Sequence, residues 1–314
     1  MVVCERELLF SLCIPTFKRA EILRETLDSV YAQNVDNTLF EVCISDNSPT
    51  TETEDMLREY FPNVDNLHYS KSDCKGFLNS IEALKLGSGK FLKLHNDYSV
   101  LKSNALLGMI EKVKKYEHNQ AGLFFSMGAL GLNVVREFDS FNDFMRCINY
   151  FSTWSTSFAV WNVDFKKFIE SQSEIDNMYP HTSVLYYLVD KQQYVVDDYE
   201  YVINRTPKKK GGYNLIDNFV RIYLGMTKNL LLSKHITKAT YDAIVNGIIR
   251  FCGSWNALVK TDARYTFTFD NDTEIINGTC GSSYVWKYKF WCVVYRFKYL
   301  LKRVLLSIGI LKDN

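Results

Sequence analysis

The stretch Phe-Leu-Lys-Leu-His-Asn-Asp-Tyr at residues 91–98 decides how the fold is interpreted. It predicts a short strand that rises from the Gly87-Ser88-Gly89 turn and ends at Asn96 and Asp97. In open α/β sheets, ligands bind beyond the carboxyl ends of the strands. An Asn-Asp pair after a strand is also typical of an ordinary turn. A functional interpretation therefore depends on other polar strand ends that converge on this one.

Two earlier segments have the same order of strand, polar loop and helix. Residues 8–14 are a nearly continuous apolar run that ends at Pro15-Thr16-Phe17-Lys18-Arg19, and residues 20–33 have helical spacing. Residues 40–45 form the next strand, which ends at Asp46-Asn47 before another helix. Alternating strands and helices predict an α/β fold with a mostly parallel sheet flanked by helices. The ends of the three strands are expected to meet at one site.

Composition places the chain among ordinary globular proteins. Its 314 residues carry a formal charge of +1, which gives no reason to expect a nucleic-acid partner. The eight cysteines never form a C-x-x-C pair, which favours free thiols in a reducing compartment. The first residues lack the profile of a signal peptide, and no apolar run approaches the ~20 residues of a membrane span. We therefore expect a cytoplasmic protein.

The clearest break in composition is the basic, glycine-containing segment at residues 205–213. Lys208, Lys209 and Lys210 precede two glycines there, a pattern typical of a mobile, positively charged loop. The loop is either a solvated linker or an anion-binding element. We place a domain boundary at its end, with residues 1–213 as the α/β domain and residues 214–314 as a helical C-terminal region.

The last predicted helix, residues 284–310, contains no acidic residue. Its apolar side chains share one face of a helical projection: Trp286, Phe290, Val293, Val294, Phe297, Leu301, Val304 and Ile308. Basic residues lie outside the centre of that face. Such a helix suits the headgroup layer of an anionic membrane, where each basic residue contributes roughly 1 kcal/mol. The alternative is a helix docked on its own domain or on another subunit.

The polar strand ends are suited to nucleotide binding. Carboxylates such as Asp46 and Asp97 can accept hydrogen bonds from a base or a ribose hydroxyl, and one near a diphosphate can hold a divalent cation. The sequence has no G-x-G-x-x-G, no G-x-x-x-x-G-K-[ST] and no G-x-S-x-G motif. Their absence argues against dinucleotide enzymes, P-loop NTPases and α/β-hydrolases.

Four motifs in order resemble those of family 2 glycosyltransferases, which have the GT-A fold. Residues 11–19 resemble the opening "S-x-x-I-P-T-Y-N-R" strand and loop, and residues 41–48 resemble "E-I-x-V-S-D-N-x-S", whose Asp contacts the nucleotide. Residues 76–79 and 87–91 are similar to a "G-x-x-x-N" helix and an "x-G-x-Y" strand entry. Residues 94–98 stand where the family has its metal-binding D-x-D or D-D-D motif.

The resemblance implies transfer of a sugar from a nucleotide-diphosphate donor, with inversion, to a saccharide acceptor. Bacterial members of this size build surface polysaccharides, such as O-antigen or capsule, on a lipid carrier at the inner face of the membrane. The resemblance and the strand-end pattern together give these candidates for donor binding: Pro15, Thr16, Phe17, Arg19, Asp46, Asn47, Asn79, Asn96, Lys208, Lys209 and Lys210.

Two departures from the family pattern affect the chemistry. The metal motif keeps only Asp97, so Mn²⁺ or Mg²⁺ would be held by one carboxylate and the diphosphate, less tightly than by several carboxylates. The family's acidic base, often in an E-D pair, corresponds to Pro180-His181. His181 is the first candidate for the base and Asp176 the second, although His181 is equally interpreted as a helix-cap residue.

Two other functions remain open. A sugar nucleotidyltransferase would use a related sheet but needs a Gly- and Arg-rich first loop, and residues 15–19 contain no glycine. A non-catalytic scaffold at the membrane would need only the basic terminal helix. The sequence does not specify the donor sugar, the acceptor or the oligomeric state.

Overall fold

The structure is a computed structural model that describes residues 8–205 and 210–307. The chain divides into two compact units, residues 1–205 and 206–314. This division lies close to the domain boundary expected at residue 213, which stays a prediction. Each unit is described by itself.

The first unit alternates strands and helices, as the sequence predicts. Its strands are β1 (Phe10–Thr16), β2 (Phe40–Asp46), β3 (Leu67–Lys71), β4 (Phe91–Leu94), β5 (Ser99–Leu101), β6 (Gly122–Phe125), β7 (Val135–Phe138), β8 (Ala159–Trp161), β9 (Tyr194–Asp197) and β10 (Val202–Asn204). Its helices are α1 (Ala20–Tyr31), α2 (Glu52–Tyr60), α3 (Asn79–Lys85), α4 (Ala105–Tyr116), α5 (Phe141–Ile148), α6 (Asn162–Glu170) and α7 (Pro180–Tyr187). Short 3₁₀ turns lie at Gly76–Leu78, Asn149–Thr153 and Ser155–Ser157.

The central sheet has the strand order β3-β2-β1-β4-β8. All neighbours in it are parallel except β4 and β8, which are antiparallel. Every residue of β2 and β4 is buried, including the polar Glu41, Asp46 and Lys93, as in strands covered on both faces. The predicted fold class, a mostly parallel sheet flanked by helices, is confirmed. Because β1 lies between β2 and β4, the carboxyl ends of these three strands are adjacent.

Two smaller sheets complete the first unit. One has the order β6-β9-β7, and the other pairs β10 with β5 in antiparallel register. The sequence analysis missed β5 and β7, which are only three and four residues long. In the first of these sheets β6 runs parallel to β9, and the Trp161 indole of β8 donates to the carbonyl of Ala121 just before β6.

The second unit is mostly helical. It contains β11 (Lys210–Asn214), a π-helical turn at Asp217–Tyr223, α8 (Leu224–Leu232), α9 (Lys238–Val259), β12 (Tyr265–Thr268), α10 (Asp272–Cys280) and α11 (Ser282–Ser307). The expectation of a mobile loop is wrong for residues 210–213, because these residues form a strand paired in parallel with β12. Lys208 and Lys209 lie outside the described residues.

Two expectations about the whole chain can be compared with the described residues. Seven cysteines there are free thiols, and Cys4 lies outside that part of the chain. In the same ranges we find no helix with the length and apolar character required to cross a bilayer.

Candidate functional site

The end of β1 connects the two strand-end carboxylates. Thr16 is in parallel register with Asp46 of β2. Its hydroxyl donates to Oδ2 of Asp97 at 2.9 Å, and Nη1 of Arg19 donates to Oδ1 of the same carboxylate at 3.0 Å. Thr16, Arg19, Asp46 and Asp97 thus meet at one edge of the sheet, as the sequence predicted. The opposite arrangement, with the two aspartates on different edges, is excluded.

Asp97 is almost completely buried, at 2% exposure. Burial raises the pKa of its carboxyl above the ordinary value, although Arg19 and Thr16 favour the ionised form. The backbone carbonyl of Asp97 accepts a hydrogen bond from Thr26 of α1 at 3.0 Å, which fixes the turn after β4. The Arg19 guanidinium also lies 5.4 Å from the centre of the Tyr98 ring. The carboxylate and its cation are therefore held in place before any ligand arrives.

Asp46 is fully buried and every side of its carboxylate has a partner. Oδ1 accepts from the backbone and hydroxyl of Ser48, and Oδ2 accepts from Lys71 Nζ at 3.1 Å and the Tyr69 hydroxyl at 3.2 Å. Burial by itself raises the pKa of Asp46, but the hydrogen bonds from Ser48 and the ion pair with Lys71 outweigh it, so the pKa is lowered. Asp46 therefore stays ionised and positions Lys71, whose side chain is 41% exposed.

Asn79, at the start of α3, ties the ends of β1 and β2 together. Its amide nitrogen donates to the carbonyls of Ser45 (2.8 Å) and Thr16 (3.2 Å) and to Oδ1 of Asn47 (3.2 Å). Its Oδ1 accepts from the Ser45 hydroxyl at 2.7 Å. Asn47 in turn donates to the carbonyls of Cys74 and Gly76. Asn47 and Asn79, two of the three asparagines named as donor-binding candidates, thus lie beside Thr16 and fix the loops around it.

The loops after β1 and β2 are also joined directly. The backbone N–H of Lys18 donates to the Ser48 hydroxyl at 2.6 Å, and that of Asn47 donates to the Thr16 carbonyl at 3.3 Å. Lys18 has a φ of 53°, in the left-handed region. The candidate Pro15 lies within β1, and the Phe17 ring is half exposed at the rim of the site. Phe17 is thus available to a ligand, whereas Pro15 shapes the strand.

Asn96 links this cluster to the 3₁₀ turn at residues 155–157. Its Oδ1 accepts from the Ser155 hydroxyl at 2.8 Å, and its amide donates to the Tyr98 hydroxyl at 3.2 Å. The buried Lys93 donates to the carbonyls of Leu94 (2.7 Å) and Thr156. The turn at residues 155–157 is therefore held against the end of β4 by two contacts, one from Asn96 and one from Lys93.

The two candidates for the base lie near the start of α7. His181 is buried, and its Nε2 lies 3.0 Å from the Thr153 carbonyl oxygen. The tautomer protonated at Nε2 donates there and leaves Nδ1 as the acceptor nitrogen. Burial lowers the pKa of His181 to about 4. Asp176 is half-buried, and its Oδ1 accepts from the backbone of Met178 and Tyr179, both at 2.8 Å.

For the three lysines of the basic segment, the structure gives no contact with this site. Lys208 and Lys209 lie outside the described residues. Lys210 begins β11 in the second unit, and its side chain is not described.

The residues of this site could hold a divalent cation only weakly, and only together with a bound nucleotide. Among residues 8–205 and 210–307 no group of three His, Cys, Asp or Glu side chains could hold a metal alone. A carboxylate offers about four lone-pair sites. On Asp97 the side chains of Thr16 and Arg19 and the backbone N–H of Phe17 occupy three of them, which leaves room for one further ligand. One carboxylate together with diphosphate oxygens is the coordination that this chain could offer.

Sequence reasoning missed Lys71, Tyr69, Ser155 and Lys93. The first two lie on β3, whose pairing with β2 puts Lys71 opposite Asp46. A basic residue ending the strand next to an acidic strand end is a signal that could have identified Lys71. The contacts of Ser155 and Lys93 join segments about 60 residues apart, and no local pattern indicates them.

The part of the chain that contains this site is similar to known proteins. Residues 11–146 match the family described as "Glycosyl transferase family 2". Abequosyltransferase RfbV of Salmonella typhimurium strain LT2 is 48% identical over 50 residues, which are 16% of this chain and 15% of RfbV. This match therefore covers only a small part of the relative's length.

Similar solved structures extend over much more of the chain. S. aureus TarS 1–349 in complex with UDP-GlcNAc has a TM-score of 0.60 at 16% identity, covering 86% of this chain and 79% of that one. The mannosyltransferase PcManGT from Pyrobaculum calidifontis, in complex with GDP-Man and Mn²⁺, has a TM-score of 0.50 at 12% identity and covers 93% and 87%. At such identities the likeness concerns the fold alone. The family match runs from β1 past the Asn96–Asp97 turn and covers less than half of the chain, so residues 11–146 are similar to glycosyl transferase family 2, while the likeness to the solved structures shows a GT-A-type fold.

Proposed function

We propose that this protein is an inverting glycosyltransferase that moves a sugar from a nucleotide-diphosphate donor to a saccharide acceptor. The observation that carries the proposal is the position of Thr16 between the two strand-end aspartates, in register with Asp46 and hydrogen-bonded to Asp97. This arrangement offers neighbouring sites for the nucleoside and the diphosphate at the carboxyl edge of a parallel sheet.

In the proposed complex, the nucleoside lies against the loops after β1 and β2. Lys71, which donates to Asp46 and to the Thr50 carbonyl, would present its remaining ammonium hydrogen to the base or ribose, and the Tyr69 hydroxyl, which donates to Asp46, could only accept there. Asn47 and Asn79 would set the loop. Arg19 would face the diphosphate, because its guanidinium is a third exposed and has donors in addition to the one on Asp97.

A divalent cation, Mn²⁺ or Mg²⁺, would bind to Asp97 together with the diphosphate. When bound, it would supply positive charge to the departing nucleoside diphosphate. Arg19 supplies such charge permanently, and the lysines at 208–210 are proposed to add to it. The PcManGT structure was determined with Mn²⁺, which supports including the cation.

The acceptor hydroxyl needs a base, and the proposal keeps His181 and Asp176 for this role. With a pKa of about 4, His181 is neutral at pH 7 and can accept a proton at Nδ1, but it is a weak base and is buried. Asp176 is more exposed, and its Oδ2 has no protein partner among the described residues. These two properties favour Asp176.

The acceptor is proposed to be a lipid-linked saccharide of bacterial O-antigen or capsule synthesis. The short match to an abequosyltransferase supports a surface-polysaccharide role. The basic, aromatic face of α11 supports peripheral binding at the cytoplasmic face of the cell membrane.

The test is turnover of a panel of UDP-, GDP-, CDP- and dTDP-sugars, measured as release of nucleoside diphosphate with and without Mn²⁺. We expect one donor to be hydrolysed slowly without acceptor, with this activity lost in Asp97→Asn and retained in Asp28→Asn. Asp28 is the matched control because it is an exposed aspartate on α1 whose carboxylate lies near Arg24, outside the hydrogen bonds of the site.

The outcomes separate the candidate functions. No turnover of any donor, with or without a lipid-linked acceptor, would contradict the proposal. Release of pyrophosphate from a nucleoside triphosphate and a sugar 1-phosphate would instead identify a nucleotidyltransferase. Loss of activity in Asp176→Asn with retention in His181→Gln would assign the base to Asp176, and the reverse would assign it to His181.

A further inference from the structure

A groove with a volume of about 630 Å³ lies between α9 and α11, entirely within the second unit. Its size is in the range of small-molecule sites. It is lined by Asn246, Gly247, Arg250, Trp286, Lys287, Phe290 and Trp291. The groove combines aromatic walls with two cationic side chains, and the glycosyl-transfer site described above does not include it.

Neighbouring aromatic and polar groups fix both cations in place. The Arg250 guanidinium lies 4.8 Å from the centre of the Trp291 ring, and its Nε donates to the Tyr295 hydroxyl at 2.8 Å. The Lys287 ammonium donates to Asn246 Oδ1 at 2.9 Å and lies 4.5 Å from the Tyr284 ring centre. These contacts hold both groups in position while leaving the Nη donors of Arg250 and further Lys287 hydrogens available.

No carboxylate neutralises either cation in the part of the chain that the structure describes. Asp242, one turn before Asn246 on α9, forms its ion pair with Lys238 instead. Two oriented, uncompensated cations in an aromatic groove match an anion that is attached to apolar material.

The groove opens onto an exposed apolar stripe of α11. Trp286 is 73% exposed and Phe297 69% exposed. The stripe continues with Phe290, Val293, Leu300, Leu301 and Val304, all exposed. Basic residues flank it at 289, 296, 298, 302 and 303, and residues 282–307 contain no acid. Aromatic and basic side chains in this arrangement are typical of helices that lie in the headgroup layer.

We propose that this groove binds the phosphate of an anionic membrane lipid, with Arg250 and Lys287 on the phosphate and Trp286 and Phe290 against the start of the hydrocarbon chains. The inference rests on the proposed membrane association and adds a defined headgroup site to it. The phosphate belongs either to a bulk anionic phospholipid or to a lipid carrier of the acceptor.

Self-association through the same stripe is the competing explanation, since the apolar positions 286, 290, 293, 297, 300 and 304 have alternating spacings of four and three residues. Charge argues against it. Two copies would bring their flanking basic residues together without any acidic partner on the helix, whereas an anionic surface attracts all of them.

The test is binding of the full chain to sedimented vesicles of phosphatidylcholine alone, or with one-fifth phosphatidylglycerol, or with one-fifth of a polyprenyl phosphate. The variants are the pair Arg250→Gln/Lys287→Gln and the control pair Arg296→Gln/Lys298→Gln. Both pairs remove two positive charges from the second unit, but only the first lines the groove. Glycerol phosphate in solution serves as a competitor without acyl chains.

We expect tight binding only to the anionic vesicles, and a loss in the groove pair about tenfold greater than in the control pair. Preference for the polyprenyl phosphate over phosphatidylglycerol would identify the carrier as the source, and equal binding would identify bulk lipid. Equal losses in the two pairs would overturn the groove while leaving membrane association intact. Absence of vesicle binding, together with a dimer detected by light scattering, would overturn both the groove and the membrane association. Donor turnover tests the catalytic proposal separately.

Discussion

Replacing Lys93 with methionine is expected to change how the stability of the fold depends on pH. Lys93 lies in β4, four residues before Asp97, and its side chain is completely buried. Its ammonium donates to the carbonyls of Leu94 and Thr156 and lies 5.7 Å from the centre of the Phe125 ring. No carboxylate among the described residues pairs with it. The charge is therefore compensated only by dipoles.

The magnitude follows from the cost of burying that charge. Burial lowers the pKa of Lys93 from its ordinary 10.5 to about 7. Between these two values the unfolded chain binds a proton that the folded chain does not, so the free energy of unfolding rises with pH. Below about pH 7 both states are protonated and the contribution is constant. The slope is about 1.4 kcal/mol per pH unit, which gives roughly 2.5 kcal/mol between pH 7.5 and 9.5.

The assay is urea denaturation of the wild type and Lys93→Met at several pH values from 6 to 9.5. The difference in free energy of unfolding between the two proteins isolates the contribution of Lys93. Lys85→Met, which removes a half-exposed lysine from α3, is the control for loss of positive charge. A Lys93→Met difference that stays flat from pH 7.5 to 9.5 would refute the reasoning, because it would mean that the buried amine keeps its ordinary affinity for protons.

Three further predictions concern the site. Asn79→Leu removes the amide that joins Ser45, Thr16 and Asn47. It is expected to lower the free energy of unfolding, measured by urea denaturation, by roughly 2–3 kcal/mol. A change near zero would contradict the bridging role. Arg19→Gln leaves the buried Asp97 carboxylate without its cation and is expected to cost roughly 2 kcal/mol, reduced because a third of Arg19 is exposed. The double variant Arg19→Gln/Asp97→Asn is expected to regain part of that loss, and strictly additive losses would show that the pair is uncoupled. Since burial lowers the pKa of His181 to about 4 from 6.5, acidification from pH 6.5 to 4 is expected to destabilise the wild type more than His181→Gln, and parallel stability curves over that range would contradict this.

Much of the fold could be predicted from the sequence because the central strands are buried on both faces. The apolar run before Asp46 gives β2 to within one residue, and β4 at residues 91–94 was placed correctly. The first strand was predicted at residues 8–14 but spans residues 10–16, so Pro15 and Thr16 belong to β1 and not to the loop after it. The short strands β5 and β7 were missed because three or four residues carry too little periodicity. The strand at 210–214 was missed because its two glycines are typical of a loop, and only pairing with β12 makes it a strand.

The candidate site was predictable to the extent that it depends on strand ends. Parallel register alone brings Thr16 beside Asp46, and sheet order brings Asp97 beside both. The hydrogen bonds that set the charge state of the carboxylates were not predicted: Arg19 was a candidate for donor binding and not for pairing with Asp97, and Lys71 was overlooked although its strand end lies beside Asp46. The burial of His181 was also not predictable, because its contact with the Thr153 carbonyl joins segments that are 28 residues apart.

The most direct measurement of the central claim is a crystal structure of the protein with the nucleoside diphosphate that binds it, chosen from UDP, GDP, CDP and dTDP with Mn²⁺. The account predicts the nucleoside beside the loops after β1 and β2, near Lys71 and Asn47, with the diphosphate against Arg19 and Asp97. A nucleotide bound at another edge of the sheet, or no binding of any of the four, would contradict it.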